Sequence, residues 1–142
     1  MLYIRHLLDT KDPQVWSIAP EAPVLDAIRL MAERRVGALP VMQGGELLGI
    51  VSERDYARKV ILMGRSSANT PVHDIMSAPV TTIGPDEAVH RCMAIMTEQR
   101  IRHLPVLAHG RMVGIVSIGD LVKAVIEEQQ ETISQLERYI AT

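Results

Sequence analysis

Two short phrases, Ser52-x-x-Asp55 and Ser117-x-x-Asp120, hold the residues of this chain best suited to chemistry, and each follows the same apolar run, Gly-Ile-Val. A serine three residues before an acid is a capping-box pattern: the hydroxyl accepts from an orphan backbone N–H and the acid favours the positive end of the helix. The same carboxylate can do more. Its two oxygens can accept from the two hydroxyls of a ribose, as an acidic residue does in dinucleotide folds, and the free amides of a helix start suit an anion. Gly49 and Gly114, at the head of each phrase, let another group approach the backbone closely. Capping and ligand contact are both open at this level.

The two phrases belong to a longer repeat. Sliding residues 15–56 onto 80–121 at a constant offset of 65 gives sixteen identities in forty-two pairs, spread along the whole unit. Two copies are too few for a solenoid, and a unit of about 60 residues buries too little surface to be comfortable alone. The repeat therefore predicts two coupled half-size units.

Each copy carries the same sequence of signals. A short extended stretch (VWSI, VTTI) meets a proline, and a helix follows with apolar positions at 24, 27, 28 and 31, or 89, 92, 93 and 96, the spacing of one helical face. Two apolar runs joined through Gly-Gly or His-Gly then predict a hairpin, and a second helix starts after each serine. The expected fold is α+β, with β-α-β-β-α written twice. We place an N-terminal segment at 1–14, the copies at 15–63 and 80–125, a linker at 64–79 and a C-terminal helical extension at 126–142. In that last helix Val122, Ile126, Gln129, Ile133, Leu136 and Ile140 fall in a 4-3-4-3-4 spacing, a coiled-coil-like seam. It predicts either packing across a homodimer or folding back on its own domain.

Composition narrows the function classes. Net charge is −2, with no basic field of the kind that draws nucleic acid or an anionic membrane. No apolar run reaches the roughly 20 residues of a membrane span, and charge at Arg5 and Asp9 interrupts any signal-peptide core. The expectation is a cytoplasmic protein without nucleic-acid or membrane partners. Cys92 aligns with Ala27 on an apolar helix face and reads as a buried small residue. The histidines show no metal-ligand spacing, and neither a P-loop nor a G-x-G-x-x-G occurs.

The paired units, the RIRHLPV run at 100–106 and the twin G-I-V-S-x-x-D phrases resemble a tandem cystathionine β-synthase (CBS) domain pair, or Bateman module, over residues 15–125. The resemblance implies two CBS repeats related by a pseudo-twofold axis, with two clefts between their sheets. It implies a non-catalytic regulatory module that binds adenine nucleotides such as AMP, ADP, ATP or NAD(H), or S-adenosylmethionine, as an energy or redox sensor without an obligatory cofactor.

Carried onto this chain, the resemblance implies that Asp55 and Asp120 hold riboses and that Ser52 and Ser117 lie near ribose and phosphate. It puts Ser17 and Ile18, or Thr82 and Ile83, against the adenine. Val36 and Ala38, with Ile101 and His103, form the strand wall, and Arg102 with His103 contacts phosphates. The copies diverge here: Gly37 and Ala38 stand where Arg102 and His103 stand, while repeat 1 has Arg54, Arg58 and Lys59 around its Asp. The two sites are therefore expected to be unequal. Arg35 and Arg100 read as helix-end cations, and Trp16 as a packed residue with purine stacking as its other reading. The second class of function is an interaction or dimerisation scaffold with vestigial clefts. No activated nucleophile or oriented base argues for an enzyme.

Overall fold

A computed structural model of the chain describes residues 1–11 and 14–141, which divide into two compact units, 15–81 and the described residues of 1–14 with those of 82–142. The first unit holds α2 (Val24–Arg34), β1 (Ala38–Gln43), β2 (Glu46–Ser52) and α3 (Glu53–Tyr56). The second holds α1 (Ile4–Leu8), α4 (Val89–Gln99), β3 (His103–Ala108), β4 (Arg111–Ser117) and α5 (Ile118–Ala141). The mixed α and β class expected from the sequence is the one found.

Both hairpins are antiparallel, with Ala38 opposite Ser52 and His103 opposite Ser117. Their tight turns have positive φ at both central positions, 57° and 82° at Gly44-Gly45 and 53° and 77° at His109-Gly110. Such turns match the twist of the flanking strands and favour glycine, which is why Gly-Gly and His-Gly mark them. The helix face read from the spacing is the buried one: Val24, Ala27 and Met31 enter the core of the first unit, and Val89, Cys92 and Met96 that of the second. Each helix then ends on an arginine in the left-handed conformation, Arg35 at φ 55° and Arg100 at φ 56°, whose N–H closes onto Met31 or Met96. These arginines stop their helices by backbone geometry, beyond the dipole role expected of them.

Two elements are smaller than expected. The stretch before each first helix joins its hairpin through one parallel bridge, Ile18 to Val41 or Ile83 to Val106, and forms no longer strand. After Ser52 the helix runs only to Tyr56 and gives way to a π-helical turn, Ala57–Ile61, whereas after Ser117 it runs unbroken to Ala141.

A further pair of core segments has no counterpart in the constant-offset repeat. In the second unit α1 drives Ile4 and Leu7 into the core with Ile83, Val89 and Leu104. In the first, a 3₁₀ turn at Val72–Asp74 does the same with Val72 and Ile75, beside Val24, Leu39 and Val51. Backbone bonds match as well: Ile4 and Arg5 N–H donate to Glu87 and Pro85, and Val72 and His73 N–H donate to Ala22 and Pro20. Ile4, Leu7 and Leu8 thus correspond to Val72, Ile75 and Met76 at an offset of 68, three residues out of step with the rest of the repeat.

Candidate functional site

Each Ser-x-x-Asp phrase lies where a hairpin strand becomes a helix. In repeat 1, β2 ends at Ser52 beside Ala38, and the Glu53 N–H donates to the Gly37 carbonyl. In repeat 2, β4 ends at Ser117 beside His103, and the Ile118 N–H donates to the Arg102 carbonyl. The structure therefore gathers Ala38, Ser52 and Asp55 in one copy and Arg102, His103, Ser117 and Asp120 in the other. Val36 and Ile101, just upstream, pack half-buried against their cores.

Both phrases form the reciprocal cap. The Ser52 N–H donates to Asp55 Oδ2 at 2.9 Å while the Asp55 N–H donates to Ser52 Oγ at 3.1 Å. The Ser117 N–H and the Asp120 N–H repeat this at 2.9 and 3.1 Å. The capping reading is thus satisfied in full, and in both copies it engages Oδ2 of the carboxylate.

A lysine completes each carboxylate, and the two lysines come from different places. Lys59 Nζ stands 3.1 Å from Asp55 Oδ1 and donates to the Ile75 carbonyl at 2.9 Å. Lys11 Nζ stands 2.6 Å from Asp120 Oδ2 and donates to the Ile115 carbonyl at 2.8 Å. Lys59 ties its helix start to residue 75 in one out-of-step segment, and Lys11, three residues past α1, ties its helix start to β4. Lys59 was visible beside its Asp in the sequence, but nothing in the phrase points to Lys11.

These contacts set the electrostatics of repeat 2. Partial burial works to raise the Asp120 pKa, but hydrogen bonds from Lys11 and Ser117, with the Lys11 charge, outweigh it and hold the carboxyl below its usual value. His103 moves the other way from a typical paired histidine. Burial lowers its pKa, Asp120 opposes that, and Lys11 and Arg102 add to it, so its neutral form is favoured.

Of the other residues the sequence points to, Ile18 sits by Val41, with its N–H donating to Pro40 and its carbonyl accepting from Met42. Ile83 repeats this with Pro105 and Leu107 and is itself a core side chain. Ser17 is exposed and Thr82 half-buried. Arg54 is half-buried on α3, and Arg102 is exposed. Trp16 is packed against the first core with the Arg34 guanidinium 3.7 Å above its ring centre, so a cation already lies against that π-face. Cys92 is fully buried, and desolvation, with Glu87 adding and Arg91 opposing, pushes its thiol up to about 11, an inert thiol at neutral pH. Among the described residues no group of three or more His, Cys, Asp or Glu is placed to hold a metal ion.

The close approach that Gly49 and Gly114 permit is made by the chain itself. A Cβ on Gly49 would meet Met76 Sδ at 2.6 Å and the Ser77 carbonyl at 3.0 Å, and one on Gly114 would meet Leu8 Cδ2 at 2.6 Å. The glycines thus serve the two out-of-step segments, which lie over β2 and β4.

No helix among the described residues is long and apolar enough to cross a membrane. On α5, Val122, Ile126, Ile133, Leu136 and Ile140 are exposed, so the seam does not fold back onto its own domain.

Comparison with known proteins agrees with this architecture. The chain is 48% identical over 122 residues to the mitochondrial CBS domain-containing protein CBSX3 of Arabidopsis thaliana, covering 82% of this chain and 59% of that protein. It is 34% identical over 113 residues to the CBS domain-containing protein YhcV of Bacillus subtilis, covering 80% of each. A solved structure of a protein with CBS domains from Burkholderia ambifaria superposes with a TM-score of 0.87 at 47% identity, covering 90% of this chain and 96% of that one. The CBS domain model matches twice, at residues 5–61 and 72–127, so each match starts with one of the out-of-step segments. The chain belongs to the CBS domain family as a tandem pair, a type of module that is in general regulatory.

Proposed function

We propose that this protein is a non-catalytic sensor that binds adenine nucleotides, AMP, ADP, ATP or NAD(H), at its two Ser-x-x-Asp phrases. The observation that carries the reading is the state of the two carboxylates. Each is fixed by its own cap through Oδ2, and its Oδ1 keeps acceptor capacity for a ribose hydroxyl. At Asp55 one of the Oδ1 positions faces Lys59, whereas at Asp120 the lysine sits on Oδ2. With Arg102 and His103 present only in repeat 2, this favours repeat 2 as the tighter site.

A thermal-shift panel of AMP, ADP, ATP, NAD⁺, NADH and S-adenosylmethionine tests the reading. A ligand at about 100 times its Kd adds roughly 2.7 kcal/mol to the folded state, and at this length about 2–4 °C of Tm accompanies each kcal/mol. At least one member should raise Tm by several degrees. No shift from any of them at millimolar concentration, with no nucleotide carried through purification, would leave a protein-interaction scaffold as the better reading. The exposed α5 seam supports self-association under either reading, and we place the second copy of a homodimer there.

A further inference from the structure

The two copies solve one electrostatic problem with different residues. Lys59 of repeat 1 corresponds to Ala124 of repeat 2 at the 65-residue offset, so α5 has no lysine at i+4 from Asp120, and Lys123 at i+3 forms no ion pair with it. The ammonium arrives instead from Lys11, 109 residues away. Lys11 spans Asp120 Oδ2 at 2.6 Å and the Ile115 carbonyl at 2.8 Å, with its side chain 35% exposed.

The charge count at this strand end depends on that lysine. Arg102 and Asp120 alone would cancel, and His103, held neutral by burial foremost, adds nothing. Lys11 makes the group net cationic. An ammonium carries three donors, and the two contacts above commit two of them. It also fills Oδ2, which already accepts from the Ser117 N–H, so Oδ1 is left as the ribose acceptor.

We infer that Lys11 is a specificity-determining residue of the repeat 2 site, whose ammonium selects phosphate-bearing adenosine ligands over adenosine itself. The inference rests on the nucleotide reading above. A neutral ligand gains little from a net positive site, while a phosphate gains a charge-assisted hydrogen bond and reduced repulsion from Asp120.

Calorimetry with AMP and adenosine decides it, using the full chain with Asp55→Asn so that only the repeat 2 carboxylate is intact. In that background Lys11→Met should weaken AMP about tenfold, the loss expected for a hydrogen bond to a charged group, and change adenosine by less than about twofold. Lys11→Arg should restore AMP. Equal weakening of AMP and adenosine would reduce Lys11 to a structural staple, and tighter AMP binding in Lys11→Met would make it a competitor for Asp120; either result overturns the inference. If the Asp55→Asn chain with Lys11 intact binds neither ligand, the nucleotide reading of repeat 2 fails and takes the inference with it. That outcome is distinct from AMP binding that ignores Lys11.

Discussion

Replacing Asp120 by Asn removes one negative charge and almost no volume, and the structure gives each consequence a size. The cap survives in part, because an amide oxygen can still accept from the Ser117 N–H that now reaches Oδ2 at 2.9 Å. What disappears is the pairing with Lys11. The two side chains are 35% and 31% exposed, so the pair sits at the upper end of the exposed range of about 0–1 kcal/mol and well short of a buried one, at roughly 1 kcal/mol. Loss of the charge at the helix start adds about 0.3–0.5 kcal/mol. At about 2–4 °C per kcal/mol, Tm without ligand should fall by roughly 3–6 °C. From the phrase alone both Asn substitutions are expected to leave Tm nearly unchanged, but Asp55, whose side chain is 13% exposed and pairs with Lys59 at 3.1 Å, should lose a similar amount on conversion to Asn. Asp120→Asn should also weaken AMP at its site about tenfold or more. The assay is thermal unfolding of Asp120→Asn, Lys11→Met and the double variant, with AMP calorimetry on Asp120→Asn and Asp55→Asn. The cycle should give a coupling of about 1 kcal/mol between Lys11 and Asp120. Zero coupling would refute the staple, and unchanged AMP affinity in both Asn variants would refute the ribose role, leaving the phrase as a helix start alone.

Gly49→Ala should destabilise by about 1–3 kcal/mol, because the new Cβ meets the Ser77 backbone, while Gly114→Ala should cost less, since only the tip of Leu8 must turn; chemical denaturation of both measures the order. The lowered pKa of His103 means that the folded chain binds this proton less readily than the unfolded chain, so its contribution to stability is intact above the usual value of 6.5 and is lost as pH falls below it. His103→Gln should therefore narrow the drop in Tm between neutral pH and pH 5, and an identical drop in both proteins would contradict the assignment. Deleting residues 127–142 removes Ile133, Leu136 and Ile140 while leaving both cores whole, and should lower the molecular mass by light scattering from dimer to monomer; a monomeric intact chain at high micromolar concentration would rule the dimer out.

Much of this protein is decided locally and is therefore written in its sequence. Gly-Gly and His-Gly specify hairpin turns because they tolerate positive φ, the 3-4 spacing of Val24, Ala27 and Met31 specifies a buried helix face, and Ser-x-x-Asp specifies its own cap within four residues. The seam of α5 was legible for the same reason, and tertiary structure only settled that its apolar side stays exposed. What the sequence left hidden is what long-range packing decides. Residues 4–8 and 72–76 are short, and their 68-residue offset is out of step with the 65 of the rest, so neither periodicity nor alignment marks them as core. Only when β2 and β4 exist as surfaces do Met76 and Leu8 find the glycines beneath them. Lys11 is the sharpest case: its partner in charge is 109 residues along the chain, and a Coulomb contact depends on distance in space, for which no spacing rule along the sequence exists.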